Sequence, residues 1–284
     1  MTSGLLDFAA VERAAAGRAL RLPRVPHRGK VGEVRSSSVG SSLELHDFRL
    51  YQPGDDLRHV DWNAVARTGE LVLRVRQDEV SPRVEVLLDT SRSMAVSPEK
   101  AARAREVALW VTTLARHGGF EPVVIAAGQT GQRAAGPATR ALLSQVGFEG
   151  RDAFDQALRR GPPLLPCGLR VVVSDFLFET PPDVFAERLA RGAAGLVLVQ
   201  VLDVEDVEPS AGVGAKLIDS ETGESIERLV SAGVVDLYLE RLAAHVALWQ
   251  GAARRVRATW VQGSAAKPVD EWARGELASL VEAV

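Results

Sequence analysis

The densest chemistry in the chain is Asp89-Thr90-Ser91-Arg92-Ser93, a carboxylate and hydroxyls at single-residue spacing directly after the apolar run Val84 to Leu88. A tight loop brings such groups to one point, and hard oxygen ligands of this kind suit Mg²⁺ or Ca²⁺. A second apolar run, Leu169 to Val173, ends in Ser174-Asp175. If both runs are strands of one sheet, Asp175 lies on the same edge as Asp89, where open α/β sheets bind their ligands. A blander reading stays open, because Asp and Ser also cap the helix that follows a strand.

A second constellation lies upstream: Tyr51, Pro53-Gly54-Asp55-Asp56, Arg58 and Asp61-Trp62. Proline followed by glycine favours a type II turn. Three acids there offer another cation site or a recognition surface. A structural role is favoured, with Arg58 as internal partner of the acids and Trp62 as a buried anchor. The five histidines, His27, His46, His59, His117 and His245, have no ligand spacing. Cys167 is alone, which excludes an internal disulfide and a multi-cysteine metal site. The arginines between Arg13 and Arg28, with Lys30, read as a solvated face, Trp249 reads as core, and no strand-to-helix Gly-x-Gly-x-x-Gly is present.

The elements that must position these groups follow from hydrophobic period. Leu5 to Leu22 has helical spacing and is closed by Pro23 and Pro26. From Val31 to Val80 the chain is short-segmented, with one clear strand at Leu71 to Arg76, so residues 1–80 are expected to form a small, partly β module. Beyond Pro82 apolar strands alternate with helices. Strands are expected at 84–88, 122–127, 169–173, 195–202 and 256–261. Helices are expected at 99–117, 139–146, 152–159, 183–190, 237–253 and 269–281. This rhythm implies an α/β fold with a doubly wound, mostly parallel sheet over residues 81–284. Runs that are continuously apolar agree with burial on both faces. A hairpin is expected as an insertion near 203–230, around Glu221-Thr222-Gly223.

With 284 residues the chain is long enough for one large domain and a small module. A formal net charge of −3 argues against a general nucleic-acid binder. Charges interrupt every apolar run before it reaches bilayer length, and the first residues lack the pattern of a secretory leader. A cytoplasmic protein is the expectation.

Asp89-x-Ser91-x-Ser93 after a buried strand, with the distant Ser174-Asp175-Phe176, resembles the metal-ion-dependent adhesion site of von Willebrand factor type A domains. The string Tyr51-x-Pro53-Gly54-Asp55-Asp56-x-Arg58-x-x-Asp61-Trp62, continuing to Ala66-Arg67, is more specific. Directly before a type A-like region, and with Asp219-x-Glu221-Thr222-Gly223 after it, this string resembles the domain of unknown function 58 family. The resemblance spans roughly residues 30–280. It implies a type A-like fold, Mg²⁺ as the cofactor of a site made by Asp89, Ser91, Ser93 and Asp175, and a role as adaptor for a MoxR-type AAA+ ATPase.

One departure weakens the case for the ion. Where the family reads Gly-Gly-Thr-Asp, this chain has Glu149-Gly150-Arg151-Asp152, so Arg151 stands in the place of a threonine ligand. Arginine offers only donors and cannot ligate a cation. Arg151 is expected to pair with Asp89 or Asp175 in place of the metal, or to receive a partner's carboxylate. A non-enzymatic interaction module, binding through Asp89, Ser91, Ser93, Arg151 and Asp175, is therefore the leading expectation. Its rival is a metal-dependent hydrolase or phosphatase with Asp89 as nucleophile. Such enzymes need an acid two residues on, where this chain has Ser91. A receiver-like phosphoacceptor at Asp89 lacks the expected acidic pair, with Lys267 its one possible lysine.

Overall fold

Asp7 starts the first helix, α1 (Phe8–Ala15), by accepting a hydrogen bond from the Ala10 N–H. Gly17 then takes a left-handed turn at φ 65°, and the chain enters strand β1 (Arg18–Leu20). The helix expected from Leu5 to Leu22 is therefore half as long. Its end is dictated by pairing of β1 with Val281–Ala283, at the far end of the sequence. The structure is a computed structural model that describes residues 6–22, 47–51, 60–75, 83–128, 131–209, 214–218, 225–229 and 231–283.

The chain divides into a unit of residues 26–80 and a larger unit of residues 1–25 and 81–284. Helix α1 and β1 thus group with the α/β unit, not with the module expected to run from residue 1. In the small unit, strand β2 (Asp47–Leu50), helix α2 (Trp62–Thr68) and strand β3 (Val72–Val75) are described. Strands β2 and β3 pair antiparallel, Asp47 opposite Val75. The Asp61 carboxylate caps α2 through the N–H groups of Asn63 and Ala64. Trp62 is 64% exposed, which corrects the buried anchor expected there. The Pro53-Gly54-Asp55-Asp56 turn and Arg58 lie outside the described residues.

The larger unit resumes with β4 (Arg83–Asp89), α3 (Pro98–His117), β5 (Glu121–Ala127), β6 (Gln132–Ala135), α4 (Ala138–Gln145) and α5 (Phe154–Arg160). It continues with β7 (Cys167–Ser174), α6 (Pro182–Ala190), β8 (Ala193–Leu202), α7 (Val204–Val207) and the antiparallel hairpin of β9 (Gly214–Ile218) and β10 (Ser225–Leu229). It ends with α8 (Ala232–Arg255), β11 (Thr259–Ser264), α9 (Val269–Arg274) and β12 (Val281–Ala283). The last helix is shorter than expected. After Arg274 the chain turns at Gly275 and gives one 3₁₀ turn (Ala278–Leu280) before β12.

Six strands form the central sheet in the order β11-β8-β7-β4-β5-β6. All neighbours are parallel except the β5–β6 edge pair. This is the expected α/β class with a mostly parallel sheet. Side chains alternate between two cores, as a strand buried on both sides requires. Val86, Leu88, Val171 and Val173 face Val107, Val111 and Leu114 of α3, with Trp272 of α9. Leu87 and Val172 face Phe154 of α5, Phe185 of α6 and Trp249 of α8. Between β4 and β7, Glu85 stands opposite Arg170 in the register, and the two form a fully buried ion pair at 2.7 Å.

The chain runs from β4 outward to β5 and β6, then returns to the other side of β4 as β7. The order in which strands are added therefore reverses between the parallel neighbours β4 and β7. Strands separated by such a switch leave a crevice at their carboxyl ends.

Candidate functional site

The carboxyl ends of β4 and β7 carry Asp89 and Ser174-Asp175, so the switch point gathers the groups that the spacing singled out. Asp89 is 1% exposed, and both of its oxygens accept hydrogen bonds. The Ser91 N–H donates to Oδ1 at 2.9 Å and the Ser174 hydroxyl to Oδ2 at 2.6 Å. The Ser174 Oγ accepts in turn from the Phe176 N–H at 2.9 Å. Ser91 and Ser93 place their hydroxyl oxygens 3.0 Å apart. Phe176 follows Asp175 with φ 56°, a costly left-handed conformation for an aromatic residue, which turns the chain sharply beyond β7.

Burial pushes the Asp89 carboxyl up to about 7, and neighbouring Asp175 adds to the shift. The hydrogen bonds from Ser174 and Ser91 act the other way by favouring the charged form. Among the described residues no cationic side chain pairs with Asp89. Asp89, Ser91 and Ser93 could hold a hard cation, with Asp175 beside them, and a cation there would relieve the buried negative charge. No group of three or more His, Cys, Asp or Glu that could hold a metal occurs among the described residues, so an ion here would depend on the hydroxyls.

Arg151 is where the structure departs from expectation. Its backbone neighbour Gly150 bridges to Ser91, with the Gly150 N–H donating to Thr90 O at 3.1 Å and the Arg92 N–H to Gly150 O at 3.0 Å. The loop thus reaches the site, yet the Arg151 side chain is exposed and pairs with neither Asp89 nor Asp175. The cation on Asp175 is Lys100. Its Nζ lies 3.0 Å from Asp175 Oδ2 and 3.1 Å from Asp206 Oδ2, and its side chain is 1% exposed. Burial works to lower the Lys100 pKa, but Asp175 and Asp206 outweigh it and hold the group above its ordinary value.

Lys100 reaches this position because α3 starts where it does. Ser97 caps the helix through the Lys100 N–H at 3.1 Å, and Pro98 occupies the first turn. The Ser97 hydroxyl also donates to Asp203, the cap of α7, where the Asp203 N–H meets Asp206 Oδ2 at 2.8 Å. Asp175 is held on its other side by the Leu177 N–H, 3.0 Å from Oδ1, and its carbonyl accepts from Gln200 at 2.8 Å. Sequence reasoning missed Lys100, Asp203 and Asp206. One signal was available: a lysine in the first turn of a helix opposes the helix dipole and needs a partner.

Two apolar residues near the strand ends, Val96 and Leu177, are 58% and 38% exposed, and Arg151 is exposed on the loop that meets Ser91. His245 Nε2 of α8 lies 2.6 Å from the Phe176 carbonyl oxygen and 3.1 Å from Trp249 Nε1. Trp249, expected as core, is fully buried.

Comparison with known proteins places the chain in a group without assigned activity. The profile of the family described as "Protein of unknown function DUF58" matches residues 47–232. Uncharacterised proteins of Mycobacterium bovis and Mycobacterium tuberculosis are 31% identical over 225 residues, which is 72% of this chain and 69% of theirs. Among solved structures, the conserved hypothetical protein BatB from Bacteroides thetaiotaomicron matches at 16% identity with a TM-score of 0.39, covering 70% of this chain and 98% of that one. An aerotolerance-related membrane protein from Bacteroides fragilis matches at 15% identity with a TM-score of 0.40, covering 70% and 99%. The cytoplasmic placement expected from the sequence is withdrawn. The placement rested on the pattern of the first residues and on the length of the apolar runs, and neither assigns a compartment. Among the described residues no helix is long and apolar enough to cross a membrane.

Proposed function

The chain belongs to the DUF58 family, and from that premise we propose that it is a non-enzymatic binding protein with a von Willebrand factor type A-like fold. It engages its partner through the carboxyl edge of the sheet at the β4–β7 switch point. The observation that carries this reading is the convergence of Asp89, Ser91 and Ser93 with Asp175 at the carboxyl ends of β4 and β7, with Val96, Leu177 and Arg151 exposed in the loops that follow or meet those strands. Exposed apolar groups and an exposed arginine are what a protein interface uses for area and for carboxylate recognition.

Mg²⁺ is the ion that fits the oxygen set, held by Asp89, Ser91 and Ser93 with Asp175 alongside. When bound it would supply an open coordination position for a carboxylate of the partner. Arg151 would receive that carboxylate, or a second one, as a bidentate pair. Catalysis is not part of the reading. Both Asp89 oxygens are engaged, and the residue two positions on is Ser91, whose hydroxyl meets Ser93. The partner that the sequence resemblance suggests is a MoxR-type AAA+ ATPase.

Surface plasmon resonance against the MoxR-type ATPase of the same organism tests this directly, with Mg²⁺ and with EDTA. Arg151→Ala is expected to weaken binding by about 2–5 kcal/mol if the pair is buried in the complex. Asp89→Asn is expected to weaken the Mg²⁺-dependent part alone. Unchanged affinity in both folded variants would overturn this edge as the docking surface.

A further inference from the structure

The charge at the switch point is not balanced by the groups a cation would touch, but by one that lies behind them. Lys100 is an ammonium at 1% exposure between two carboxylates, Asp175 and Asp206. A buried charge of this kind persists only when paired and hydrogen-bonded. Three turns set this pairing: the first turn of α3 places Lys100, the turn after β7 places Asp175 and the capped turn of α7 places Asp206. Among the described residues, three carboxylates, Asp89, Asp175 and Asp206, share the region with that ammonium.

We infer that Lys100 is a positioning residue that fixes the Asp175 carboxylate and sets, through its charge, how tightly the Asp89 site holds a divalent cation. This rests on the cation reading of that site. Geometry supports the first half. Lys100 takes Asp175 Oδ2 and the Leu177 N–H takes Oδ1, so the carboxylate has one orientation. Coulomb's law supports the second half. A fixed positive charge in direct contact with Asp175 opposes any further cation drawn to the same carboxylate, and low polarity magnifies the opposition. Asp206 moderates it, because its own negative charge sits against the same ammonium at 3.1 Å. The structure thus contains two opposing controls on one site, Lys100 against the ion and Asp206 for it. Neither residue needs to touch the ion.

The arrangement makes a prediction of opposite signs that a purely structural role does not make. In Lys100→Met the positive charge is lost and Asp175 is freed, so the chain should bind Mg²⁺ roughly tenfold tighter or more. In Asp206→Asn the ammonium is left wholly to Asp175, so Mg²⁺ binding should weaken by a similar factor. Lys100→Arg, which keeps the charge, should stay near the parent chain. Isothermal titration with Mg²⁺, repeated with Mn²⁺, reads all three on the full chain. The Mg²⁺-induced rise in melting temperature gives an independent readout, and circular dichroism confirms that each variant is folded.

If Lys100→Met does not fold, the Asp206→Asn and Lys100→Arg pair still decides, since only the charge model separates them. Tighter binding in Lys100→Met and weaker binding in Asp206→Asn supports the inference. Binding by Lys100→Met but not by the parent chain also supports it, and removes Mg²⁺ from the proposed function of the parent. Asp89-dependent binding that is equal in the parent, Lys100→Met and Asp206→Asn overturns the inference and leaves the cation reading standing. No binding by any of them overturns both.

Discussion

Lys100 Nζ lies 3.0 Å from Asp175 Oδ2, with the two side chains 1% and 2% exposed. Removing one partner of such a pair strands the other charge in a medium that solvates it poorly. Asp175→Ala is therefore expected to lower stability by about 3–5 kcal/mol. Chemical denaturation at fixed pH measures it. An unchanged midpoint would mean that Lys100 finds enough compensation in Asp206 alone.

The second buried pair, Glu85 with Arg170, is a structural contrast because it lies within the sheet. Arg170 also donates to the carbonyls of Leu165, Leu189 and Arg191, so one guanidinium ties β7 to the loops around α6. Arg170→Met is expected to cost about 3–5 kcal/mol, with much of the loss recovered in the double variant Glu85→Met, Arg170→Met. A double variant as unstable as the sum of the singles would show that the carbonyl contacts, not the charge pair, carry the effect.

The two tryptophans that the sequence singles out should behave oppositely. Trp62 is 64% exposed, and Trp62→Ala should change stability by no more than about 0.5 kcal/mol. Trp249 is fully buried against Phe176, Phe178, Phe185 and Trp260, with ring centroids 4.7 to 6.3 Å away. Trp249→Ala should cost about 3–5 kcal/mol. Thermal melts of both variants check this, and similar melting points would refute the assignment.

Why one tryptophan was legible and the other was not is a question of range. Trp249 stands four residues from His245 in a helix, and such spacing reports burial because the helix period is local. The strand ends at Asp89 and Asp175 were legible for the same reason, as were strands β9 and β10 and the parallel rhythm, while the Glu221-Thr222-Gly223 turn lies outside the described residues. Contacts that join distant segments left no such trace. Strand β1 pairs with β12 across almost the whole chain, and the helical period of residues 5–22 gave no sign that Gly17 ends it. Strand β6 is four residues long and half-exposed, too short for a period to show. Arg151 was placed on the right loop, but the direction of its side chain depends on the β4–α5 packing. Lys100 falls inside the expected helix 99–117, and nothing local marks it, because the carboxylates that claim it lie 75 and 106 positions away.

Asp89 makes stability depend on pH. Its folded pKa, about 7, lies above the usual carboxylate value near 4, so the folded chain holds this proton more tightly than the unfolded one. The resulting stability is fully present below pH 4 and is lost as pH rises through about 7. In EDTA the Asp89 contribution should therefore fall by up to about 1.4 kcal/mol per unit between roughly pH 5 and 7. Asp89→Asn should flatten that slope. Since a cation must displace the same proton, Mg²⁺ binding should tighten over this range. Parallel pH profiles for the parent and Asp89→Asn would remove Asp89 as the titrating group.

Gly150 tests whether the Arg151 loop is built into the site or merely lies near it. The loop is tied to Thr90 and Arg92 by two backbone hydrogen bonds, and a Cβ at Gly150 would lie 2.9 Å from Thr90 O, 3.2 Å from Gly128 Cα and 3.3 Å from Ser91 Cα. All three are backbone atoms, so no side-chain rotation relieves the contact. In Gly150→Ala the loop must lift away from Ser91 or the Asp89 loop must shift. Overpacking of this sort costs about 1–3 kcal/mol. Either movement displaces the Arg151 loop relative to Ser91, so partner binding should weaken along with Mg²⁺ binding. Gly147→Ala is the control. Its nearest added contact is the flexible Glu149 side chain at 3.7 Å, and it should leave both unchanged. Urea denaturation with Mg²⁺ titration of the two variants separates the cases. If Gly150→Ala lost stability but kept full Mg²⁺ and partner affinity, the bridge to Ser91 would be scaffolding, and Arg151 would have no part in the site.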